Sequence, residues 1–94
     1  MAIALRAGFE NLTLTDYDAI LEAMNFPADW PDGLLAHASM EIDGKLVVHD
    51  AWESRAQFDA FVADRLGPAL GQALGDRAEQ PQLIERELHT MFTP

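Results

Sequence analysis

The side chains in this sequence best suited to chemistry are Arg6, Trp30, His37, Asp50, Trp52 and His89. His37 and Asp50 are the central pair. An aspartate that accepts from one imidazole nitrogen holds the tautomer and raises the ring's basicity, leaving the other nitrogen to exchange a proton with substrate. Beside that acid/base pair, Arg6 offers a planar fork for an anionic or enolate oxygen. Trp52 offers a face that can stack on a flat ligand, and His89 is a second candidate base. Trp30 lies in a proline-rich loop, where an aromatic ring serves as a plug over the core or a lid over a pocket. The same residues also have a structural reading. In it His37 and Asp50 satisfy each other, Arg6 pairs with Glu85 or Glu87, and Trp52 is wall.

Absences narrow the chemistry further. There are no cysteines, which removes disulfides, thiolate ligands and cysteine nucleophiles. Among donors, only His37, Asp50 and His89 suggest a metal site, and their spacing matches no motif, so neither metal nor other cofactor is expected. No glycine-rich phosphate loop, serine elbow or glycosidase-like carboxylate pair appears. A formal charge of −10 disfavours nucleic acid and anionic membranes as partners. No stretch is long and apolar enough to span a bilayer and no signal-peptide pattern stands at the N-terminus, so a cytoplasmic location is expected.

The elements that must position these residues centre on 34–53. Two apolar runs flank Asp43-Gly44, the dipeptide suited to a two-residue turn with positive φ at both positions. Such a hairpin sets His37 opposite Asp50, Leu35 opposite Trp52 and Ser39 opposite Val48. Before it, residues 2–9 alternate as a strand with Ile3, Leu5, Ala7 and Phe9 on one face. Thr15 and Asp18 suggest a capped helix over 16–24, with Tyr17, Ile20, Leu21 and Met24 as its buried stripe. After the hairpin, Ser54 and Gln57 form a second capping box, followed by the stripe Phe58, Phe61, Val62 and Leu66. Gly67-Pro68 reads as a break, Ala69–Leu74 as a further short helical stretch capped by Gly75, and 83–92 as the last strand. At 94 residues this is one domain, 1–94. The order βαββαβ with right-handed crossovers is a ferredoxin-like α+β fold, a four-stranded antiparallel sheet with both helices on one face.

Parity on the hairpin separates two surfaces. Ala36, Ala38, Met40, Ile42, Val47, His49 and Ala51 share one, whose small residues suit close helix packing. Leu35, His37, Ser39, Glu41, Leu46, Val48, Asp50 and Trp52 share the other, with Arg6, Glu85, Glu87, His89 and Met91 on the same side from the outer strands. That mixed surface is expected to be the open one, covered by a second copy about a two-fold axis. The catalytic proposal depends on this placement, because side chains turned to the helices would lose it.

Three segments carry a family resemblance: Pro31-Asp-Gly-Leu-Leu-Ala-His37, Val48-His-Asp-Ala-Trp-Glu-Ser54, and Phe58…Phe61 with Arg65-Leu-Gly-Pro-Ala-Leu70. Together they resemble small bacterial proteins of the dimeric α/β-barrel superfamily, the relatives of antibiotic-biosynthesis monooxygenases. The resemblance implies a homodimer whose facing sheets enclose a cavity in each subunit, and, in some relatives, oxidation of aromatic polyketides without metal or flavin. Phe61-Val-Ala-Asp64 stands where such relatives often carry a histidine.

The functional expectation is a small-molecule-binding protein acting as a cofactor-independent oxygenase or isomerase on a flat acidic or aromatic compound. In that expectation His37 and Asp50 are catalytic, and Arg6, Trp52, His89 and Trp30 bind the ligand. The alternative is a non-catalytic dimerisation or ligand-carrier module.

Overall fold

Asp43 and Gly44 take φ of 52° and 77°, the geometry that joins two twisted antiparallel strands through a two-residue turn. From that turn β2 (Leu34–Ile42) and β3 (Lys45–Trp52) pair in the expected register, His37 with Asp50 and Ser39 with Val48. The register shifts between Leu34 and Ala36, so Leu34, not Leu35, faces Trp52. Leu35 is the extra residue of a β-bulge and points out, 37% exposed, while Leu34 is 6% exposed. The bulge turns both Leu34 and His37 toward the same layer.

The computed structural model describes residues 1–94. The remaining elements are β1 (Ile3–Gly8), α1 (Leu14–Ala23), α2 (Arg55–Phe61), α3 (Gly67–Leu74) and β4 (Gln82–Glu87). The four strands lie in the order β2-β3-β1-β4, antiparallel throughout. This is the ferredoxin-like α+β architecture. β4 is shorter than the alternation over 83–92 suggests, because β1 starts at Ile3 and leaves the chain beyond Leu88 nothing to pair with; the last bond of the ladder is Leu88 N–H to the Ala2 carbonyl, 3.0 Å.

The helix N-terminus near residue 15 lies two residues earlier than its sequence pattern suggests. Thr13 is the cap: its hydroxyl accepts from Asp16 N–H at 3.1 Å, and Asp16 accepts from Thr13 N–H at 3.0 Å. Both Thr-x-x-Asp patterns fit a capping box, but Asp16 also receives Arg77, at 2.7 and 3.2 Å. That third partner selects the earlier start. Ser54 caps α2 as its sequence implies, accepting from Gln57 N–H at 3.2 Å.

Gly67-Pro68 does not end the second helical segment. The helical run continues from Arg55 to Leu74 through a π-helical turn at Val62–Leu66, where Gly67 N–H reaches the Val62 carbonyl. Pro68 has no N–H to give, and its ring would crowd the preceding turn of a regular helix. The wider turn relieves that conflict without breaking the axis.

The helices cover the opposite side of the hairpin from the one expected. Leu46, Val48 and Trp52 of β3, with Leu5 and Ile3 of β1, pack against Ile20 and Met24 of α1, Phe58 of α2 and Leu70 and Leu74 of α3. Phe26 and Phe61 touch both halves of this core. The alanine-rich side, Ala36, Ala38, Met40 and Ile42 with Ala4, Arg6 and His49, is the open one. Apolar area decides the matter: burying one large side chain contributes roughly 1.5–3 kcal/mol, so Trp52, Leu46 and Val48 outweigh a row of alanines. Glu85 also lies on the helix side, where it accepts from Arg55 at 2.5 Å.

Candidate functional site

Asp50, His37 and Tyr17 form a continuous chain of short hydrogen bonds between the sheet and α1. His37 Nδ1 lies 2.6 Å from Asp50 Oδ1, and His37 Nε2 lies 2.6 Å from the Tyr17 hydroxyl. An ionised carboxylate can only accept, so in the neutral imidazole Nδ1 carries the proton and Nε2 accepts from Tyr17 O–H. Trp52 Nε1–H donates to the other carboxylate oxygen at 3.2 Å. The side chains of His37 and Asp50 are 15% and 11% exposed. A polar group tolerates that degree of burial because each donor and acceptor has a partner, which is why a sheet face bearing His37 and Asp50 can also carry the core.

Burial raises the Tyr17 pKa above that of an ordinary phenol, the nearby Asp50 and Asp18 carboxylates push the same way, and the Ser39 hydroxyl opposes them. Tyr17 therefore remains a hydroxyl at neutral pH. Its ring stacks near-parallel on His37, with centroids 6.0 Å apart.

The chain borders a cavity of about 60 Å³ between sheet and helices. That is room for a few waters, at the roughly 10–15 Å³ each requires. Tyr17, His37 and Asp50 supply its polar side; Met24, Phe26, Trp52 and Phe61 are among its apolar walls. No lysine or arginine lines it.

Residues 25–33 close one side of this space. Phe26 meets the His37 ring edge-on at 5.1 Å, and Trp30 stacks on Phe26 at 5.3 Å. The Trp30 indole N–H donates to the Leu34 carbonyl at 2.8 Å. Arg65, on the π-turn, holds the loop by donating to the carbonyls of Met24 and Asp29 at 2.9 and 2.8 Å.

Of the residues singled out from the sequence, the structure brings His37, Asp50 and Trp52 together, but on the helix side; the acid/base site expected on the open sheet face is therefore lost, and any chemistry of this pair belongs to the cavity between sheet and helices. Trp30 is 48% exposed and reaches the cavity only through Phe26. Arg6 lies on the opposite face of the sheet, across the ladder from His49, so it cannot act beside His37. His89 follows β4, at the far edge from β2, and is exposed. No cluster of three metal-ligating side chains is formed. Tyr17 and Phe26 belong to the site but not to the sequence expectation. Tyr17 sat in a helix stripe with an otherwise unexplained hydroxyl, and a buried phenol O–H needs a partner; that was the available signal.

No protein-family model matches the sequence, nor does any curated protein. Solved structures do share its shape. The Rv0793 protein of Mycobacterium tuberculosis aligns at a TM-score of 0.71 and 18% identity, covering 99% of this chain and 100% of that one. SnoaB, a cofactor-independent oxygenase from Streptomyces nogalater, aligns at 0.63 and 9% identity, covering 99% and 97%. A monooxygenase from the gene ActVA-Orf6 of Streptomyces coelicolor, solved with nanaomycin D, aligns at 0.59 and 18% identity, covering 99% and 91%. The chain has the ferredoxin-like fold of the antibiotic-biosynthesis-monooxygenase-like proteins.

Proposed function

We propose that this protein is a monooxygenase-like enzyme that binds a small, neutral phenolic compound in the cavity between sheet and helices, which must widen beyond its 60 Å³ to admit a ring, and oxidises it with O2, without a bound cofactor. One observation carries the reading: the Asp50–His37–Tyr17 chain ends in a hydroxyl at the wall of an otherwise apolar cavity. The oxygenase and the monooxygenase among the proteins of like fold support the reaction class. The cavity has no cation in its lining, which favours a neutral aromatic over the acidic compound expected from Arg6.

In this reading the substrate hydroxyl gives its proton to Tyr17 while Tyr17 passes its own to His37 Nε2. Asp50 stabilises the imidazolium, and Trp52 holds the carboxylate in place. The resulting phenolate is electron-rich enough to reduce O2. A ring carbon bonds to one oxygen atom, the peroxide takes the proton stored on His37, and O–O cleavage with loss of the ring hydrogen releases water. Overall, phenol and O2 give quinone and water; the ring loses four electrons and O2 accepts them, so no external reductant enters.

The test is oxygen consumption with a panel of one- and two-ring phenols, using native protein and Tyr17→Phe. Quinone formation that falls about 10²-fold or more in Tyr17→Phe, with little change in KM, is expected. Ligand binding by the native protein with no oxygen uptake for any phenol would leave a carrier in place of an enzyme.

We also infer that a second copy of the chain covers the open sheet face. Exposed Ile42 and Ile84 on that face support this, and light scattering that gives a monomer mass at all concentrations would overturn it.

A further inference from the structure

The sequence has six lysine and arginine residues against 16 aspartates and glutamates. Four of the six are already paired with carboxylates: Lys45 with Glu10, Arg55 with Asp59 and Glu85, Arg65 with Asp29, and Arg77 with Asp16. Arg6 and Arg86 are the two that are not. Arg6 has no hydrogen-bond partner, and Arg86 donates only to the backbone carbonyl of Glu85.

These two arginines lie together. Arg6 faces Ile84 and Arg86 faces Ala4 across the β1–β4 ladder, which makes them diagonal neighbours on the open side of the sheet, with Cα atoms about 7–8 Å apart by that geometry. His49 faces Arg6 from β3. All three line one groove of about 360 Å³, within the roughly 300–1,000 Å³ typical of small-molecule sites. Its floor is formed by the small residues Ala4, Ala36, Ala38 and Ala51, and Ile84 forms an apolar flank.

His37 and Asp50 also border this groove, but the Asp50 carboxylate is engaged by His37 and Trp52 on the helix side of the sheet. Strand parity places every acidic residue of the four strands, Glu41, Asp50, Glu85 and Glu87, on the other side. A protein of net charge −10 thus sets two unpaired guanidinium groups and an imidazole on a sheet face from which strand parity turns the carboxylates away.

We propose that Arg6, Arg86 and His49 form a binding site for a small organic dianion, an oxyanion head group on a short apolar body, across the sheet from the Tyr17–His37–Asp50 cavity. The guanidinium forks and the imidazole N–H meet the oxygens, and the alanine floor and Ile84 take the apolar part. The net negative charge of the chain does not forbid this at physiological salt, where screening beyond roughly 8 Å leaves the local cations dominant. Should two copies meet across this face, the anion also supplies the compensating charge that neither copy carries there; buried unpaired cations are otherwise costly.

Calorimetric titration of the native protein at constant physiological ionic strength tests the site, with inorganic phosphate, phenyl phosphate and succinate as probes. Saturable binding of phenyl phosphate is expected, several-fold tighter than inorganic phosphate, weakened about tenfold in Arg6→Gln and in Arg86→Gln and unchanged in Arg55→Gln. Succinate separates a dicarboxylate site from a phosphate site by which dianion binds more tightly. Absence of saturable binding for all three probes, or affinities unaffected by Arg6→Gln and Arg86→Gln in folded protein, would overturn it. Equal affinity for phosphate and phenyl phosphate removes the apolar part of the proposal. Light scattering on the same samples reports association separately, so a monomer that binds the dianion retains the site and loses only the dimer.

Discussion

His37 and Asp50 face each other across the β2–β3 ladder with imidazole Nδ1 2.6 Å from carboxylate Oδ1, and both side chains turn toward α1. The pair is therefore wedged inside the chain's own layers, where Tyr17 and Trp52 complete its hydrogen bonds. That placement makes the pair an energetic unit and ties the stability of the sheet to the chemistry proposed for it.

Deleting either partner strands the other. His37→Ala leaves the Asp50 carboxylate with only the Trp52 N–H and removes the acceptor for Tyr17, at an expected cost of about 2–4 kcal/mol. The His37→Ala/Asp50→Ala double variant should be less destabilised than the sum of the singles, with a coupling of about 1–3 kcal/mol in urea denaturation. Strict additivity would show that the two groups do not interact in solution.

Trp30 acts through Phe26, and its removal loosens the cover and not the core. Trp30→Ala should cost about 1 kcal/mol or less and raise the association rate of a naphthol probe by roughly two- to tenfold, measured by stopped-flow quenching of the remaining Trp52. An unchanged rate would show that ligands enter elsewhere.

Arg77 first, and the Thr13 backbone N–H second, hold the Asp16 carboxyl at about 2, below the ordinary 3.8. A carboxylate with a depressed folded-state pKa adds stability that is fully present above about pH 4 and lost as the pH falls toward 2. Because the Arg77 side chain is 60% exposed, salt weakens the effect. Urea midpoints between pH 5 and pH 2 should fall less steeply in Asp16→Asn than in the native chain, with the gap narrowing at high salt.

Gly33 combines φ of +89° with a Cβ position 2.6 Å from the Gln57 side chain, and its carbonyl accepts from Glu53 N–H at 2.8 Å. Gly33→Ala is expected to destabilise the fold by about 2 kcal/mol, seen as a lowered melting temperature. No change would mean that the start of β2 can shift away from α2 without penalty.

Register, element order and the second helix cap were legible in the sequence because they depend on neighbours: Asp43-Gly44 dictates which residues of β2 and β3 meet, and Ser54 bonds within its own turn. The face of the hairpin was not legible. Polar His37 and Asp50 argued for the open side until Tyr17, distant in sequence, and Trp52 were seen to satisfy them. The bulge at Leu35 and the choice of Thr13 over Thr15 have the same origin, since each is decided by a residue far along the chain, Trp52 in one case and Arg77 in the other. The site was legible in its central pair and illegible in its third member for the same reason.

Tyr17 is the last link of the proton path proposed for this site and also a bolt between α1 and the sheet. A ligand hydroxyl that hands its proton to Tyr17 loads the same bolt, so occupancy of the cavity and docking of the first helix depend on one hydrogen bond. The helix nearest the reactive group is thereby the part of the molecule whose breathing, followed by amide exchange, reports whether the chamber is filled.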